Sequence, residues 1–320
     1  MKPLGLLFCL CAFILSVQAE TDYEITVAPD GSGDFKSIQA AIDATKAFPD
    51  RRITLHIKNG IYHEPVRVYE WNPRLSLIGE SAEKTIIRWG SHFHQVNRGR
   101  NSTFHTATLS VEGNDFHGEN LTIENTAGPV GQALALSVNA DRVSFNNSRF
   151  LGHQDTIYVT GEGKRQYFKN CYVEGTTDFI FGQGTAVFDQ CEIHAKADSY
   201  ITAASTPDTR QYGLVFLRAT LTAEEGVSKV YLGRPWRAHA KTVFIDSWLG
   251  AHIRPEGWHN WSKPAAEHTS FYAEYNSRGP GAADSAQRAP WTHTLTKEQA
   301  TEYTVETILG SKTHPEWYRR

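Results

Sequence analysis

"RVSFNNSRF" (residues 142–150), "RQYFKNCYV" (165–173) and "TAVFDQCEI" (185–193) are one phrase written three times. Each carries an aromatic, a variable residue, a polar residue and a small one inside a run of alternating apolar and polar residues, rich in Val, Ile, Phe and Tyr, that reads as a strand. "YGLVFLRATL" (212–221) and "KTVFIDSWL" (241–249) repeat it more loosely, so that phenylalanines fall at 145, 168, 188, 216 and 244, spaced by 23, 20, 28 and 28 residues. Irregular repeats of this size, made of short strands and Gly/Asn/Asp turns, suggest β-coils stacked on one another. A sandwich or barrel also contains many short strands. Hairpin signals such as Asn-Gly between strand pairs are scarce, however, and an all-β parallel β-helix is the expected fold. Helical periodicity is confined to the ends, in "SIQAAIDATKA" from Ser37, with Ser37 as N-cap, and "TKEQATEY" from Thr296. These helices are expected to cap the ends of the solenoid.

The register can be tested on the cysteines and the carboxylates. Cys171 and Cys191 each stand three residues after the phenylalanine of their phrase. Equivalent positions on adjacent coils are about 4.8 Å apart, within the Cα separation that a disulfide accepts, so a bridge is expected between them. Asp155 and Asp178 each stand ten residues after theirs, and the same arithmetic stacks their carboxylates on one face. Asp198 follows Phe188 by ten as well, but its coil is three residues shorter than the one before.

Two carboxylates at that separation repel, which pushes one towards the protonated form while the other stays an anion beside a cation. Such a division suits an acid and a nucleophile. An outward-facing ladder of solvated Asp is the plain alternative, but the surroundings argue against it. Gln154 precedes Asp155 in "GHQDTIYV", Asp178 opens the apolar "DFIFG", and Gln132 starts "QALAL". Amide donors beside paired carboxylates can stabilise an oxyanion. In "YLGRPWRAHAKTVF", Arg234 can hold a carboxylate ionised through paired hydrogen bonds, and Trp236 offers a flat apolar face.

The chain has 320 residues and a formal charge of −3, which gives no indication of nucleic-acid binding. "MKPLGLLFCLCAFILSVQAE" reads as a secretory signal peptide over residues 1–19. Its apolar run is too short to span a membrane, and no later segment reaches the ~20 apolar residues that a span needs. A secreted or periplasmic protein is expected, with Cys171 and Cys191 its only cysteines once Cys9 and Cys11 leave with the signal.

"GIYHE" (60–64), "GQALAL" (131–136), "GHQDT" (152–156), "DFIFG" (178–182) and "LGRPW" (232–236), with "VAPDGSGDFKSIQAAID" (27–43) ahead of them, resemble the pectinesterases in order and spacing. The resemblance implies a right-handed parallel β-helix of the pectin-lyase-like kind over residues 20–320, a single catalytic domain. It further implies an enzyme that removes methyl esters from the galacturonate residues of pectin. The chemistry of paired carboxylates requires neither cofactor nor metal, and a monomer is expected. Asp178 corresponds to the nucleophile and Asp155 to the proton donor and base. Gln132 and Gln154 correspond to donors to the substrate or oxyanion, Arg234 to the residue that orients the nucleophile, and Trp236, Phe181 and Thr103 to substrate contacts. The family also bridges the cysteines that lie at Cys171 and Cys191. Ile157 stands where "QDTL" or "QDSL" is usual, and the absence of an inhibitor-like pro-region resembles the shorter bacterial type.

Other readings give different chemistry. No G-x-S-x-G elbow and no H-E-x-x-H occurs, so neither a serine hydrolase nor a zinc protease is indicated. His92 and His94 in "HFH" lack a third metal ligand in sequence. Backbone-cleaving hydrolases and lyases also use β-helices, and a binding solenoid can keep the fold without the chemistry. Asn101, Asn120, Asn146 and Asn260 head glycosylation sequons that act only in a eukaryotic host.

Overall fold

The computed structural model describes residues 23–310, 313, 314 and 316–319; the expected signal peptide lies outside them. Three sheets of eleven, seven and eight strands, paired in parallel throughout, wrap one core. Each coil adds one strand to each sheet: Ile157–Val159 joins the seven-stranded sheet, Arg165–Lys169 the eleven-stranded and Tyr172–Gly175 the eight-stranded. Ile180–Gly182 then begins the next coil. This is the right-handed parallel β-helix, the hand that twisted strands impose on crossover connections.

The phenylalanines set the rungs. Phe145 pairs with Phe168, Phe168 with Phe188, Phe188 with Phe216 and Phe216 with Phe244. All five are fully buried, and their rings stack within 12° of parallel at centroid separations of 5.5, 4.6, 4.9 and 4.3 Å. The polar third residue of each phrase is the corner: Asn147, Asn170, Gln190, Arg218 and Asp246 have φ between 45° and 55°. Asn and Asp tolerate this left-handed region best. The small fourth residue then turns into the interior, where Ser148, Cys171, Cys191, Ala219 and Ser247 are buried. Phe188→Ala, in the middle of the stack, is expected to cost about 3–5 kcal/mol of unfolding free energy. Chemical denaturation measures this, and an unchanged midpoint would contradict the stacked-core account.

The cysteines are a partial correction. They occupy equivalent rung positions and their side chains interact, but both are free thiols, so the expected disulfide is absent. Each thiol instead donates to a carbonyl: Cys171 Sγ to Lys169 O at 3.3 Å and Cys191 Sγ to Phe168 O at 3.4 Å. Burial also pushes the Cys191 thiol up, which disfavours the thiolate that disulfide chemistry requires.

The end helices differ from one another. Ser37 caps Ile38–Ala44 as expected, and Ile38, Ala41 and Ile42 enter the core. Glu64, from "GIYHE", accepts hydrogen bonds from Ser37 Oγ and from the amides of Ile38 and Gln39, which fixes the helix N-terminus to the first coil. At the other end Thr296 caps Lys297–Ala300 in a capping box. The C-terminal segment does not close the solenoid end, however; it lies along the outer face of the eleven-stranded sheet. That face carries an apolar column, Tyr167, Val187, Val215 and Val243, and Ile308, Leu309, Trp317 and Tyr318 cover it. Among the described residues no helix is long and apolar enough to cross a membrane.

Candidate active site

The seven-stranded sheet carries the site on its outer face. Ile157 pairs with Ile180, so Asp155 and Asp178, two residues earlier in each coil, sit on adjacent rungs about 4.8 Å apart along the solenoid. Both are in the left-handed region, at φ 65° and 49°, a conformation that costs a non-glycine residue about 1–3 kcal/mol. The ladder holds it in place: the Asp155 amide donates to Thr177 O at 3.0 Å and the Asp178 amide to Tyr200 O at 2.8 Å. Asp198 does not continue the series. Ile180 pairs with Thr202, which sets Tyr200 rather than Asp198 above Asp178. Asp198 is exposed and accepts from the amides of Ser228 and Lys229.

The two carboxylates have different surroundings. Arg234 grips Asp178 with both arms, Nε to Oδ1 at 2.9 Å and Nη2 to Oδ2 at 2.7 Å. Burial raises the Asp178 carboxyl above its ordinary value, and the Arg234 hydrogen bonds and charge oppose that rise. Asp155 is pushed well above the usual carboxylate range, first by burial and then by the Asp178 charge. Asp155 is therefore the group that keeps its proton, and Asp178 the one held as an anion.

Arg234 is itself clamped. Its guanidinium lies between the rings of Tyr200 and Trp261, at 3.8 and 3.7 Å from their centroids. Neither aromatic is apparent in the motifs. Rung arithmetic from Asp178 through the Ile180–Thr202 pair finds Tyr200, whereas Trp261 arrives on a loop from a later coil and carries no sequence signal.

Gln132 and Gln154 pair through their backbones at the mouth of the same coils. Both line the cleft, and among the described residues neither side-chain amide has a protein partner. Phe181 and Trp236 meet edge to face at 5.7 Å. The wall continues through Tyr158, 4.8 Å from Phe181, to Phe104, 4.9 Å from Tyr158. Thr103, buried in the short 3₁₀ helix Gly99–His105, closes that side. The cleft so formed has a volume of about 510 Å³ and brings together all eight expected site residues, with Arg100, Phe104, Arg237 and Trp261 added. In "DFIFG", Gly182 has φ 128°, and a Cβ there would come within 1.8 Å of Val159 O. Only glycine allows the strand that follows Asp178 to pack against the preceding coil.

A larger cavity, about 800 Å³, lies under the C-terminal segment among Tyr167, Asp189, Arg218 and Tyr318. Its acids are already paired: Asp189 bonds Tyr167 and Arg218, Asp246 accepts from Asn276 and Glu306 pairs with Arg319. His92 and His94 sit at the start of a short helix with ring centroids 6.4 Å apart. Among the described residues no group of three or more His, Cys, Asp or Glu converges on a metal-sized space.

Comparison with known proteins agrees with this arrangement. The pectinesterase family profile matches residues 24–312. The chain belongs to the pectinesterase family. It is 38% identical over 301 residues to pectinesterase 31 of Arabidopsis thaliana, covering 92% of this chain and 94% of that one. It spans about half the length of other family members from that plant, named as combined pectinesterase and pectinesterase inhibitor. Among solved structures it resembles the pectin methylesterase from carrot, with a TM-score of 0.83 and 32% identity over 89% of this chain and 92% of that one. It also resembles a pectin methylesterase in complex with a hexasaccharide, with a TM-score of 0.78 and 29% identity over 89% and 96%. Ile157 is fully buried in the strand Ile157–Val159.

Proposed function

We propose that this protein hydrolyses the methyl esters of polygalacturonate, releasing methanol and leaving pectate. The observation that supports this best is the pairing of a buried, proton-retaining Asp155 with an arginine-gripped Asp178 in one aromatic-walled cleft. An Asp178 oxygen attacks the ester carbonyl carbon, and the carbonyl electron pair moves onto its oxygen. The Gln132 and Gln154 amides donate to that oxyanion. As the tetrahedral species collapses, the bond to methoxide breaks and methoxide takes the Asp155 proton. The resulting anhydride is opened by a water whose proton goes to Asp155 while its oxygen bonds to the acyl carbon. This frees Asp178 as a carboxylate and restores protonated Asp155. Arg234 orients the nucleophile throughout, and Phe181 and Trp236 give the sugar an apolar wall.

Polymeric pectin lies outside the cytoplasm. Export on residues 1–19, with residues 20–320 acting as a single catalytic domain and a monomer, in the medium or the periplasm, is part of the same proposal. Carboxylates about 5 Å apart would also suit a retaining glycosidase, so the decisive assay must read both reactions. Incubation with highly methyl-esterified pectin is expected to release methanol while the chain length stays constant. Rapid loss of viscosity with new reducing ends would overturn the esterase reading in favour of backbone cleavage. Tight binding without methanol would overturn it in favour of a non-catalytic solenoid.

A further inference from the structure

The outer face of the seven-stranded sheet does not end at the cleft. One side-chain column runs along it in unbroken register: Ala203, Phe181, Tyr158, Ser137, Ser110 and Arg67. Phe104 lines the catalytic cleft on one side and, on the other, a second groove of about 470 Å³ that also holds Arg67, Tyr69 and Glu112. From Tyr158 to Arg67 is three strand spacings, about 14 Å.

Tyr69, which lines this groove, stacks face to face with Trp71 just outside it, with centroids 4.7 Å apart and planes 8° apart. Trp71 is 48% exposed. Arg67 is bound to Glu112 at 2.8 Å and lies over the Tyr69 ring, so the groove presents aromatic surface without net charge. We propose that this groove is an outlying subsite for the polymer that occupies the cleft. Uronate residues of the same polygalacturonate chain, several units from the ester being cleaved, stack on the exposed face of Trp71, which Tyr69 supports from behind. The inference rests on the polygalacturonate reading. Continuity through Phe104 and the shared sheet face argue for the substrate's own chain rather than a protein partner.

The test compares kcat/KM on long pectin with kcat/KM on a methyl-esterified oligogalacturonate too short to reach beyond the cleft. Trp71→Ala and Tyr69→Ala are expected to lower the polymer-to-oligomer ratio by about threefold to tenfold each. Because stacking rather than charge is lost, the drop persists at high salt. Trp248→Ala removes an equally exposed ring from the eight-stranded sheet and is expected to leave the ratio at the wild-type value. Mobility in a native gel containing pectin gives a readout free of catalysis: Trp71→Ala is expected to run faster than wild type. An unchanged ratio, an equal loss on both substrates, or the same change from Trp248→Ala would overturn the inference. Wild-type protein that releases no methanol from either substrate would instead fault the esterase reading, while the gel would still report on the subsite.

Discussion

Asp178→Asn is expected to abolish methanol release from methyl-esterified pectin, lowering kcat by at least about 10⁴-fold, as removal of a nucleophile does elsewhere. The substitution keeps the size of the side chain and leaves Arg234 an oxygen to bond. What it removes is the anion that both arms of Arg234 now hold 2.7 and 2.9 Å away. An amide cannot form the anhydride, and no other described carboxylate is positioned to replace it: Asp155 is pushed to the protonated side and Asp198 lies outside the cleft. A variant within tenfold of wild type would sink the assignment.

Asp155→Asn is expected to lower kcat by about 10²–10⁴-fold, the usual contribution of a positioned acid and base, and at the same time to stabilise the fold. The sign follows from the direction of the shift. The folded state raises the Asp155 carboxyl well above its ordinary value, chiefly by burial. The fold therefore favours the protonated form, and this contribution is fully present below the unfolded value of about 3.9 and lost as pH rises through the folded value. At neutral pH the wild-type protein is less stable for keeping this group. Asparagine mimics the protonated acid without that dependence, so the unfolding midpoint should rise near pH 7, and the gain should vanish on acidification below the unfolded value. An Asn variant less stable than wild type at neutral pH would contradict the burial account. In wild type, activity should fall on the acid side as Asp178 takes a proton and on the alkaline side as Asp155 loses one.

The sequence makes the coil register legible because each coil repeats a phrase that has a physical job. The phenylalanine stacks, the third residue takes a left-handed corner, and the fourth must be small to face inward. From that register the meeting of Asp155 and Asp178 follows by counting, and Gln132, Gln154 and Arg234 come with motifs that fit the same cleft. Counting fails where coil length changes. Asp198 keeps the ten-residue spacing but not the rung, because the turn from Ala195 to Tyr200 is two residues longer than the one from Gly175 to Asp178, and Tyr200 takes the place above Asp178. Trp261 is invisible for a different reason: it reaches Arg234 from a loop with no strand register to count from. The cysteines were aligned correctly by the same arithmetic, yet both stand as free thiols, each donating to a carbonyl. The helix at Thr296 was legible as a helix, whereas Val305–Leu309 was not, and the place of the C-terminal segment was set by an apolar column spread across four coils.

The central claim is that Asp178 carries the substrate acyl group, and Asp155→Asn offers the most direct measurement of it. The variant lacks the proton donor for methoxide, so acylation is slow, but an acyl-enzyme once formed also lacks a base to activate water and should persist. Mass spectrometry of this variant, acid-quenched after incubation with a methyl-esterified oligogalacturonate, should find a peptide containing Asp178 heavier by the oligomer less methanol. Methanol released in at least stoichiometric amount with no adduct on Asp178 would contradict the account.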